Sequence, residues 1–178
     1  MIFREKTLDS ETLYSGKILN LRRDKVQAVH GQSYREIVEH RGGSCILPVK
    51  DDGNCILIRQ FRKAIDDFIL EAPAGKRDGD ESYYDVAVRE LKEETGYTAL
   101  NMEFMTEYIS SPGYSEEKLG IFLATGLKAG ERNLDDNEAI DVMEIPLKEA
   151  ADMVSKGEIA DGKTQVAILL AYIRMTEK

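Results

Sequence analysis

The sequence is poor in the residues that cross-link small domains or bind structural metals. It has 178 residues but no tryptophan, four prolines, two cysteines and two histidines. Cys45 and Cys55 lack the close spacing of a redox or metal motif, which is typical of ordinary thiols in a reducing compartment. His30 and His40 have no zinc-ligand spacing with either cysteine, and no G-x-S-x-G motif is present. The sequence therefore predicts neither a structural zinc site nor a serine-hydrolase triad.

Long hydrophobic runs are also absent. The longest, residues 166–173, is far shorter than the roughly 20 apolar residues that a membrane-spanning helix needs. The N-terminal residues are charged from Arg4 onward and include no apolar segment of the kind that a signal peptide needs. We therefore expect a cytoplasmic protein that does not associate with membranes.

An excess of positive charge is missing as well. Lys and Arg total 24 while Asp and Glu total 33, which gives a net charge of −9. So acidic a chain offers no broad basic surface to a phosphate backbone, and nucleic acid is not an expected partner. With 42% hydrophobic and 32% charged residues, the composition is that of an ordinary globular protein rather than a disordered or coiled-coil chain.

What is present is a mixed order of strands and helices. Strands are predicted from short apolar runs between turn residues at 13–21, 24–29, 34–40, 44–49, 55–61, 67–71, 99–109, 118–125 and 139–144. Helices are predicted at 82–95, 147–156 and 164–175. The Asp-Asp-Gly-Asn sequence at 51–54 predicts a hairpin between the strands on either side. This order favours an α+β protein built as a β-sandwich.

The first predicted helix has clear boundaries. Ser82 and Asp85 have the spacing of a capping box at its start, and Gly96 follows its last turn, where a glycine commonly ends a helix.

The periodicity of this helix turns three acidic residues toward protein. Glu90, Glu93 and Glu94 fall on the same side as the apolar positions 83, 86, 87 and 91. An acidic run is usually a solvated face, but here the carboxylates repel one another on the side that should face the core. A hard divalent cation would resolve the conflict, because Mg²⁺ takes oxygen ligands and bridges carboxylates to substrate phosphates.

The surrounding residues match a known pattern. From Gly75 the chain reads GKRDGDESYYDVAVRELKEETGY, which fits G-x5-E-x7-R-E-U-x-E-E-x-G-U, where U is a bulky aliphatic residue. This segment resembles the Nudix box, and its one departure is the aromatic Tyr97 at the final U. The fixed positions are Gly75, Glu81, Arg89, Glu90, Glu93, Glu94 and Gly96.

Resemblance to the Nudix family implies a fold and a chemistry. The implied fold is a mixed β-sheet sandwich with the box helix against a sheet, and the implied reaction is metal-dependent hydrolysis of a nucleoside diphosphate linked to another group. Glu90, Glu94 and the carbonyl of Ala74 would ligate Mg²⁺, or Mn²⁺ in its place, with Glu93 bound directly or through water. Arg89 would orient a box carboxylate by a charge-assisted hydrogen bond.

Segments outside the box resemble the ADP-ribose pyrophosphatase subfamily. These are residues 60–62, 71–75 and 111–117, and Pro112 stands where the subfamily has its marker proline. The expected reaction is therefore hydrolysis of ADP-ribose to AMP and ribose 5-phosphate. The residues expected around the substrate are Arg41, Arg59, Arg62, Pro112 and Glu117; the arginines are expected there because guanidinium groups suit bidentate phosphate contacts.

The N-terminal segments 14–17 and 35–40 also resemble this subfamily, in which the region pairs two subunits and lends residues to the neighbouring site. We accordingly expect a homodimer, with an N-terminal antiparallel β region at 1–40 and a Nudix domain at 41–178.

The general base is expected outside the box, because the box glutamates would be committed to metal. Residues 134–140 form an acidic loop before a predicted strand, and similar subfamily members carry a glutamate there. Glu138 is the matching position, with Asp135 and Asp136 as alternatives. A solvated acidic loop is the competing interpretation.

Two other functions stay open. One is hydrolysis of a different nucleoside diphosphate sugar such as GDP-mannose, since no residue that reads the base is evident. The other is a non-catalytic Nudix module that binds a nucleotide to regulate a partner, although such a module would have no need of three metal-facing glutamates.

A further match, to the P-loop pattern G-x4-G-K-T at 157–164, is set aside. A P-loop follows a buried strand, whereas an amphipathic helix is predicted before Gly157. Gly157 is more simply the end of one helix, and the turn from Asp161 to Thr164 the start of the next.

Overall fold

Ten strands and three helices occur in the residues that the computed structural model describes, which are 2–134 and 139–176. The strands are β1 (Lys6–Ser15), β2 (Asn20–Ala28), β3 (Gly31–Glu39), β4 (Gly43–Pro48), β5 (Asn54–Arg62), β6 (Asp67–Glu71), β7 (Ala74–Lys76), β8 (Tyr97–Ile109), β9 (Lys118–Ala129) and β10 (Ile140–Pro146). The helices are α1 (Tyr83–Thr95), α2 (Leu147–Ser155) and α3 (Gly162–Thr176). No helix in the described part of the chain is long and apolar enough to span a bilayer.

The chain divides into two units. The N-terminal unit contains the residues up to Gly42 together with Ile109–Lys118, and the main unit contains Gly43–Tyr108 together with the residues from Leu119 onward. The chain therefore leaves the main unit after β8 and returns to it at β9.

The N-terminal unit is an antiparallel sheet in the order β1-β2-β3, joined by the segment Ile109–Lys118. Two backbone hydrogen bonds attach this segment to β3: Val38 N–H donates to Tyr114 O at 2.7 Å, and Glu116 N–H donates to Val38 O at 2.9 Å. Arg22 adds an ion pair to Glu39 at 2.6 Å and another to Glu116 at 2.8 Å. Strand β3 and the segment are thus held together by both backbone and side-chain contacts.

The main unit contains two sheets, in the orders β7-β4-β9-β8 and β10-β5-β6. β4 pairs in parallel with β9 and antiparallel with β7, so the first sheet is mixed. All of β4 is buried, and α1 packs Ala87 and Leu91 against Ile46, Phe122 and neighbouring residues. A separate apolar cluster joins both sheets to α2 and α3. The α+β class and the mixed-sheet architecture predicted from the sequence are confirmed.

The predicted helix at 82–95 is also confirmed, along with its boundary signals. The Ser82 hydroxyl accepts from the backbone N–H of Asp85, and the Asp85 carboxylate accepts from the backbone N–H of Ser82, so both halves of the capping box are present. Gly96 ends the helix with φ of 77°, a left-handed conformation that glycine adopts at little cost. Each of these signals involves residues that are close together in the sequence, which is why the sequence predicts them well.

The strand predicted at 13–21 is wrong. β1 ends at Ser15, Gly16 N–H donates to Leu19 O at 3.0 Å in a turn, and β2 begins at Asn20. Every residue of β1 is exposed, so the strand shows no alternation of buried and exposed side chains that the sequence could reveal.

The hairpin predicted around 51–54 is only partly formed. The turn exists, with Lys50 N–H donating to Asn54 O at 2.9 Å, but the flanking strands share one isolated bridge, between Val49 and Cys55. β4 then lies between β7 and β9, whereas β5 lies between β10 and β6 in the other sheet. Both strands are largely buried, so each takes partners on either side within its own sheet instead of pairing with the other.

Candidate active site

Three glutamates of α1 lie on its protein-facing side. Glu94 is 3% exposed, and the side chains of Glu90 and Glu93 are 13% and 34% exposed. Asp85 and Lys92 are exposed on the other side of the helix. The structure therefore has the close approach of buried like charges that the periodicity predicts, and other groups must compensate for it.

Arg89 compensates for part of this charge. Its Nη1 donates to Glu90 Oε1 at 2.6 Å and to Glu93 Oε2 at 3.0 Å, while Nε and Nη2 donate to the two oxygens of Glu81 at 3.1 and 3.0 Å. Nη2 also donates to the backbone carbonyl of Lys76 at 3.0 Å. The hydrogen bonds that Arg89 donates to Glu81 outweigh the effect of burial and raise the pKa of Arg89, and in return Arg89 lowers the pKa of Glu81. Arg89 thus brings three box glutamates together around one cation.

β7 places a backbone segment directly against these glutamates. Ala74 N–H donates to Glu94 Oε2 at 2.9 Å. A Cβ atom built on Gly75 would lie 1.7 Å from Glu90 Oε1, so the carboxylate occupies the space that any side chain at this position would need. Glycine therefore leaves room for the Glu90 carboxylate in this position, which gives a physical reason for glycine at the first position of the motif.

These groups fit a divalent metal ion by the chemistry of their donors. Carboxylate and backbone carbonyl oxygens are the ligands that Mg²⁺ and Mn²⁺ prefer, and Glu90, Glu93, Glu94 and the Ala74 segment supply them on one face. Within residues 2–134 and 139–176, no three acidic, histidine or cysteine side chains converge on one point, and Arg89 holds Glu90 and Glu93 by ion pairs.

Next to this helix lies a buried charge network. Glu71 is 1% exposed, and its carboxylate accepts a fork of two hydrogen bonds from Arg62, at 2.6 Å from Nε and 2.8 Å from Nη2. Lys163 of α3 donates to Glu71 Oε2 at 2.5 Å and to Asp161 Oδ2 at 2.9 Å. The Glu94 carboxylate is close enough to contribute to the raised pKa of Arg62, so the network lies within electrostatic reach of the box.

The charge states of this network are fixed by the pairing of its members. Burial disfavours the charge on Lys163, but the attraction of Glu71 and Asp161 outweighs it and leaves the pKa of Lys163 above its usual value. Burial likewise disfavours the Glu71 carboxylate, but Arg62 and Lys163 more than offset it, so the pKa of Glu71 is lowered. Glu71, Arg62 and Lys163 are therefore charged at neutral pH.

The arginines predicted on β5 lie on opposite faces of the strand. Arg62 forms the fork with Glu71, whereas the guanidinium of Arg59 stacks over the ring of Phe68 at 5.3 Å. Side chains alternate between the faces of a strand, so an odd and an even position cannot share one face of a regular strand. The structure brings Arg62, but not Arg59, to the buried network.

The other predicted substrate residues belong to the N-terminal unit. Arg41 and Pro112 are exposed, and Glu117 Oε1 lies 3.4 Å from His40 Nδ1. Glu138 and the alternatives Asp135 and Asp136 lie outside the described residues.

Sequence reasoning did not identify Glu71 and Lys163 as site residues. Their positions in the chain are far apart: Glu71 begins the segment 71–75, which resembles the ADP-ribose pyrophosphatase subfamily, and Lys163 lies in the Gly-Lys-Thr pattern at 162–164, which resembles a P-loop. No local pattern links an acid at the end of β6 to a lysine at the start of α3.

Comparison with known proteins gives matches over most of the chain. Residues 39–164 match the NUDIX domain, and residues 5–32 match the nucleoside diphosphate sugar hydrolase N-terminal domain. An ADP-ribose pyrophosphatase of Bacillus subtilis is 42% identical over 97% of this chain and 94% of its own length. A methanol dehydrogenase activator of Bacillus methanolicus is 35% identical over 99% of this chain and 96% of its own length.

A solved structure described as an ADP compounds hydrolase has a similar fold. It superposes with a TM-score of 0.83 over 99% of this chain and 97% of its own chain, at 23% identity. Hydrolases with this domain generally depend on a divalent metal ion, in keeping with the donor set on α1 and β7. The full box sequence, the glutamates gathered on one face of α1 and the match over residues 39–164 lead to one conclusion: the chain belongs to the Nudix hydrolase family.

Proposed function

We propose that this Nudix hydrolase cleaves the pyrophosphate of ADP-ribose with water, giving AMP and ribose 5-phosphate, and that it uses Mg²⁺, which Mn²⁺ can replace. The observation that carries the substrate assignment is the 42% identity to an ADP-ribose pyrophosphatase over nearly the whole of both chains. The similarity extends through the N-terminal unit and the segments outside the box. A cytoplasmic location stays a prediction that rests on the sequence.

In this proposal Glu90, Glu94 and the carbonyl of Ala74 hold the metal, and Glu93 binds it directly or through water. The metal supplies charge neutralisation of the pyrophosphate and activation of a water molecule. Arg89 keeps the glutamates together, since four of its hydrogen bonds already join Glu81, Glu90 and Glu93.

Arg62 is the strongest candidate on β5 for a phosphate contact. The fork to Glu71 uses Nε and one hydrogen of Nη2, so the planar guanidinium directs Nη1 away from Glu71. The side chain is 42% exposed, which leaves this edge open to an anionic ligand. We retain Arg41, Pro112 and Glu117 as substrate residues on the resemblance alone, and Arg59 is the weakest of the set because it stacks on Phe68.

We propose Glu138 as the general base, a role that rests on the sequence resemblance. The base takes a proton from the attacking water, whose oxygen bonds to phosphorus as the bridging oxygen leaves with the other phosphate. Glu90 and Glu94 are committed to metal in this scheme, so a carboxylate outside the box is needed.

A homodimer built by the N-terminal unit is also proposed. Among the described residues, β1 is an edge strand that pairs with β2 alone, and it exposes Leu8, Leu13 and Tyr14 at 43%, 44% and 59%. Exposed edge strands with apolar side chains favour association with another chain, and a second copy is the partner that the resemblance implies.

A regulatory role is a second candidate function, favoured by the 35% identity to a methanol dehydrogenase activator. The complete set of box glutamates argues for hydrolysis in either case. GDP-mannose remains the alternative substrate, because no base-reading residue has been assigned.

We expect purified protein with Mg²⁺ to hydrolyse ADP-ribose with a higher kcat/KM than GDP-mannose, NADH or diadenosine polyphosphates. The products, separated by chromatography, should be AMP and ribose 5-phosphate in equal amounts, and EDTA should stop the reaction. Preference for GDP-mannose would replace the substrate assignment, and no turnover of any compound would favour the regulatory role.

Glu94→Gln should lower kcat by about 10²- to 10³-fold, the usual effect of removing one group that stabilises transition-state charge. The fold should persist, because glutamine can still accept the Ala74 N–H and one like charge is lost from α1. Circular dichroism and thermal melting check the fold, and exposed Glu149→Gln on α2 is the matched control. Wild-type turnover in Glu94→Gln would exclude this residue as a metal ligand.

Glu138→Gln should lower kcat by about 10²- to 10⁴-fold with little change in KM, as expected for a positioned base. Steady-state kinetics of this variant and of Glu93→Gln decide between two assignments. If Glu138→Gln keeps its kcat and Glu93→Gln loses it, the base belongs to α1.

Leu13→Lys should convert a dimer to a monomer in multi-angle light scattering, because it places a charge in the proposed interface. Leu169→Lys is the control, since Leu169 is similarly exposed, at 40%, on α3 of the main unit. A monomeric wild-type protein, or a Leu13→Lys dimer, would contradict the proposed assembly.

A further inference from the structure

We propose that the DGKT motif, defined as Asp161-Gly162-Lys163-Thr164 at the start of α3, positions two parts of the active site. Thr164 fixes the backbone between β6 and β7, which leads to Ala74, and Lys163 fixes Glu71 and through it Arg62. The inference rests on the proposed function, because that function gives Ala74 and Arg62 their roles. Lys163 and Thr164 are positioning residues: each acts through another residue.

The motif begins with an aspartate that binds its own neighbours. Asp161 Oδ2 accepts from Thr164 N–H at 3.1 Å, from Thr164 Oγ1 at 2.5 Å and from Lys163 Nζ at 2.9 Å. It therefore caps the first turn of α3 and orients both side chains that follow. α2, and not a strand, precedes the motif, and Gly157 has φ of 75° at the end of that helix, so the pattern is not a P-loop.

The Thr164 hydroxyl has one hydrogen, and Asp161 accepts it. Its lone pairs are thus directed elsewhere, and Ala72 N–H donates to Oγ1 at 2.8 Å. Thr164 and Ala72 are both 0% exposed, so water cannot replace this hydrogen bond without entering the core. Loss of the acceptor of a buried N–H group costs free energy of folding, so the Thr164 hydroxyl stabilises the backbone position just after β6.

The next two residues after Ala72 connect this hydrogen bond to the proposed metal ligands. Pro73 has no N–H, and its carbonyl accepts from Ile46 N–H of β4 at 2.8 Å. The next N–H, of Ala74, donates to Glu94. Three consecutive residues are thus anchored to α3, to β4 and to α1, and the orientation of the Ala74 carbonyl follows from these anchors.

Lys163 acts on the other side of the same turn. Glu71 Oε2 accepts from both Lys163 and Arg62, and Oε1 accepts from Arg62 alone among the contacts described for it. The lysine therefore determines how the carboxylate plane is tilted, and a bidentate guanidinium follows that plane. Removing Lys163 would leave the buried Glu71 with one cation, so Arg62 would be drawn toward Glu71 and away from a ligand.

Substitution of Lys163 and substitution of Thr164 should therefore change different binding constants. Loss of the Lys163 charge should weaken substrate binding through Arg62, and loss of the Thr164 hydroxyl should weaken metal binding through Ala74. A purely structural role would change thermal stability without separating substrate from metal.

The test uses Lys163→Met and Thr164→Val, which keep approximate size while removing the charge or the hydroxyl. Lys156→Met and Thr176→Val are matched controls, because both residues are exposed, at the end of α2 and the end of α3. Lys163→Arg and Thr164→Ser are the conservative variants for rescue. For each protein we would measure kcat, KM, the Mg²⁺ concentration for half-maximal rate, Mn²⁺ binding by calorimetry without substrate, and amide exchange at Ala72 by NMR.

Lys163→Met should raise KM by about tenfold, the scale of one hydrogen bond to a charged group, with Mn²⁺ affinity unchanged. Thr164→Val should weaken Mn²⁺ binding by about tenfold, as for other residues that orient a metal ligand, and should speed exchange at Ala72. Lys163→Arg should keep KM close to the wild-type value, and Thr164→Ser should keep Mn²⁺ affinity and amide exchange at Ala72 close to their wild-type values. Equal changes in KM and Mn²⁺ affinity for both variants, or none in either, would overturn the proposal.

Mn²⁺ binding and amide exchange need no substrate, so the inference and the proposed function can fail separately. Suppose that Thr164→Val shows faster exchange at Ala72 and weaker Mn²⁺ binding, but the wild-type protein leaves ADP-ribose intact. The positioning role of the DGKT motif would then be supported, and ADP-ribose would be rejected as the substrate. If the wild-type protein hydrolyses ADP-ribose and Thr164→Val leaves exchange and Mn²⁺ binding unchanged, the substrate would be supported and the positioning role rejected.

Discussion

The main unit depends on how one arginine holds three carboxylates, one just before α1 and two on the protein-facing side of that helix. Glu81, Glu90 and Glu93, if ionised, carry a charge of −3, and Arg89 supplies +1, which leaves −2 around the guanidinium before Glu94 is counted. Because these groups lie about 3 Å apart and are partly buried, the excess negative charge strongly favours binding of a cation. The arrangement keeps the helix folded and yet favours a doubly charged cation.

Space is as important as charge at this point. The Glu90 carboxylate lies where a Cβ of residue 75 would be, so the carboxylate can take this position beside β7 because Gly75 has no side chain. The same backbone is anchored to β4 through Pro73 and to α1 through Ala74. The chemistry proposed for the glutamates therefore depends on a backbone path between two short strands, one of which the sequence did not predict.

The accuracy of sequence-based prediction follows the range of the interactions involved. The capping box of Ser82 and Asp85 and the left-handed Gly96 are local, and the helix between them was predicted to within a residue. The placement of β4 and β5 in different sheets was not predicted, because whether two adjacent buried strands share a sheet depends on strands far along the chain. The contact of Glu71 with Lys163 joins two helix and strand ends that no local pattern connects.

The arginines of β5 give a second example. Arg59 and Arg62 are the same residue type, three positions apart, and the sequence favoured both for substrate. The strand is buried on both faces from Cys55 to Ile58, so no apolar alternation reveals which face each arginine occupies. Only their contacts, with Phe68 for one and Glu71 for the other, separate them.

The route of the chain between its two units has a consequence for recombination. Because Ile109–Lys118 belongs with β1, β2 and β3, the N-terminal unit consists of two pieces of sequence separated by β4 to β8. A chimera that exchanged only the residues before Gly43 would combine a foreign β3 with the native partner of Val38 and Arg22. Exchange of this unit between relatives therefore requires crossovers at three places, and after a single cut at Gly42 the residues before the cut would be held only by non-covalent contacts.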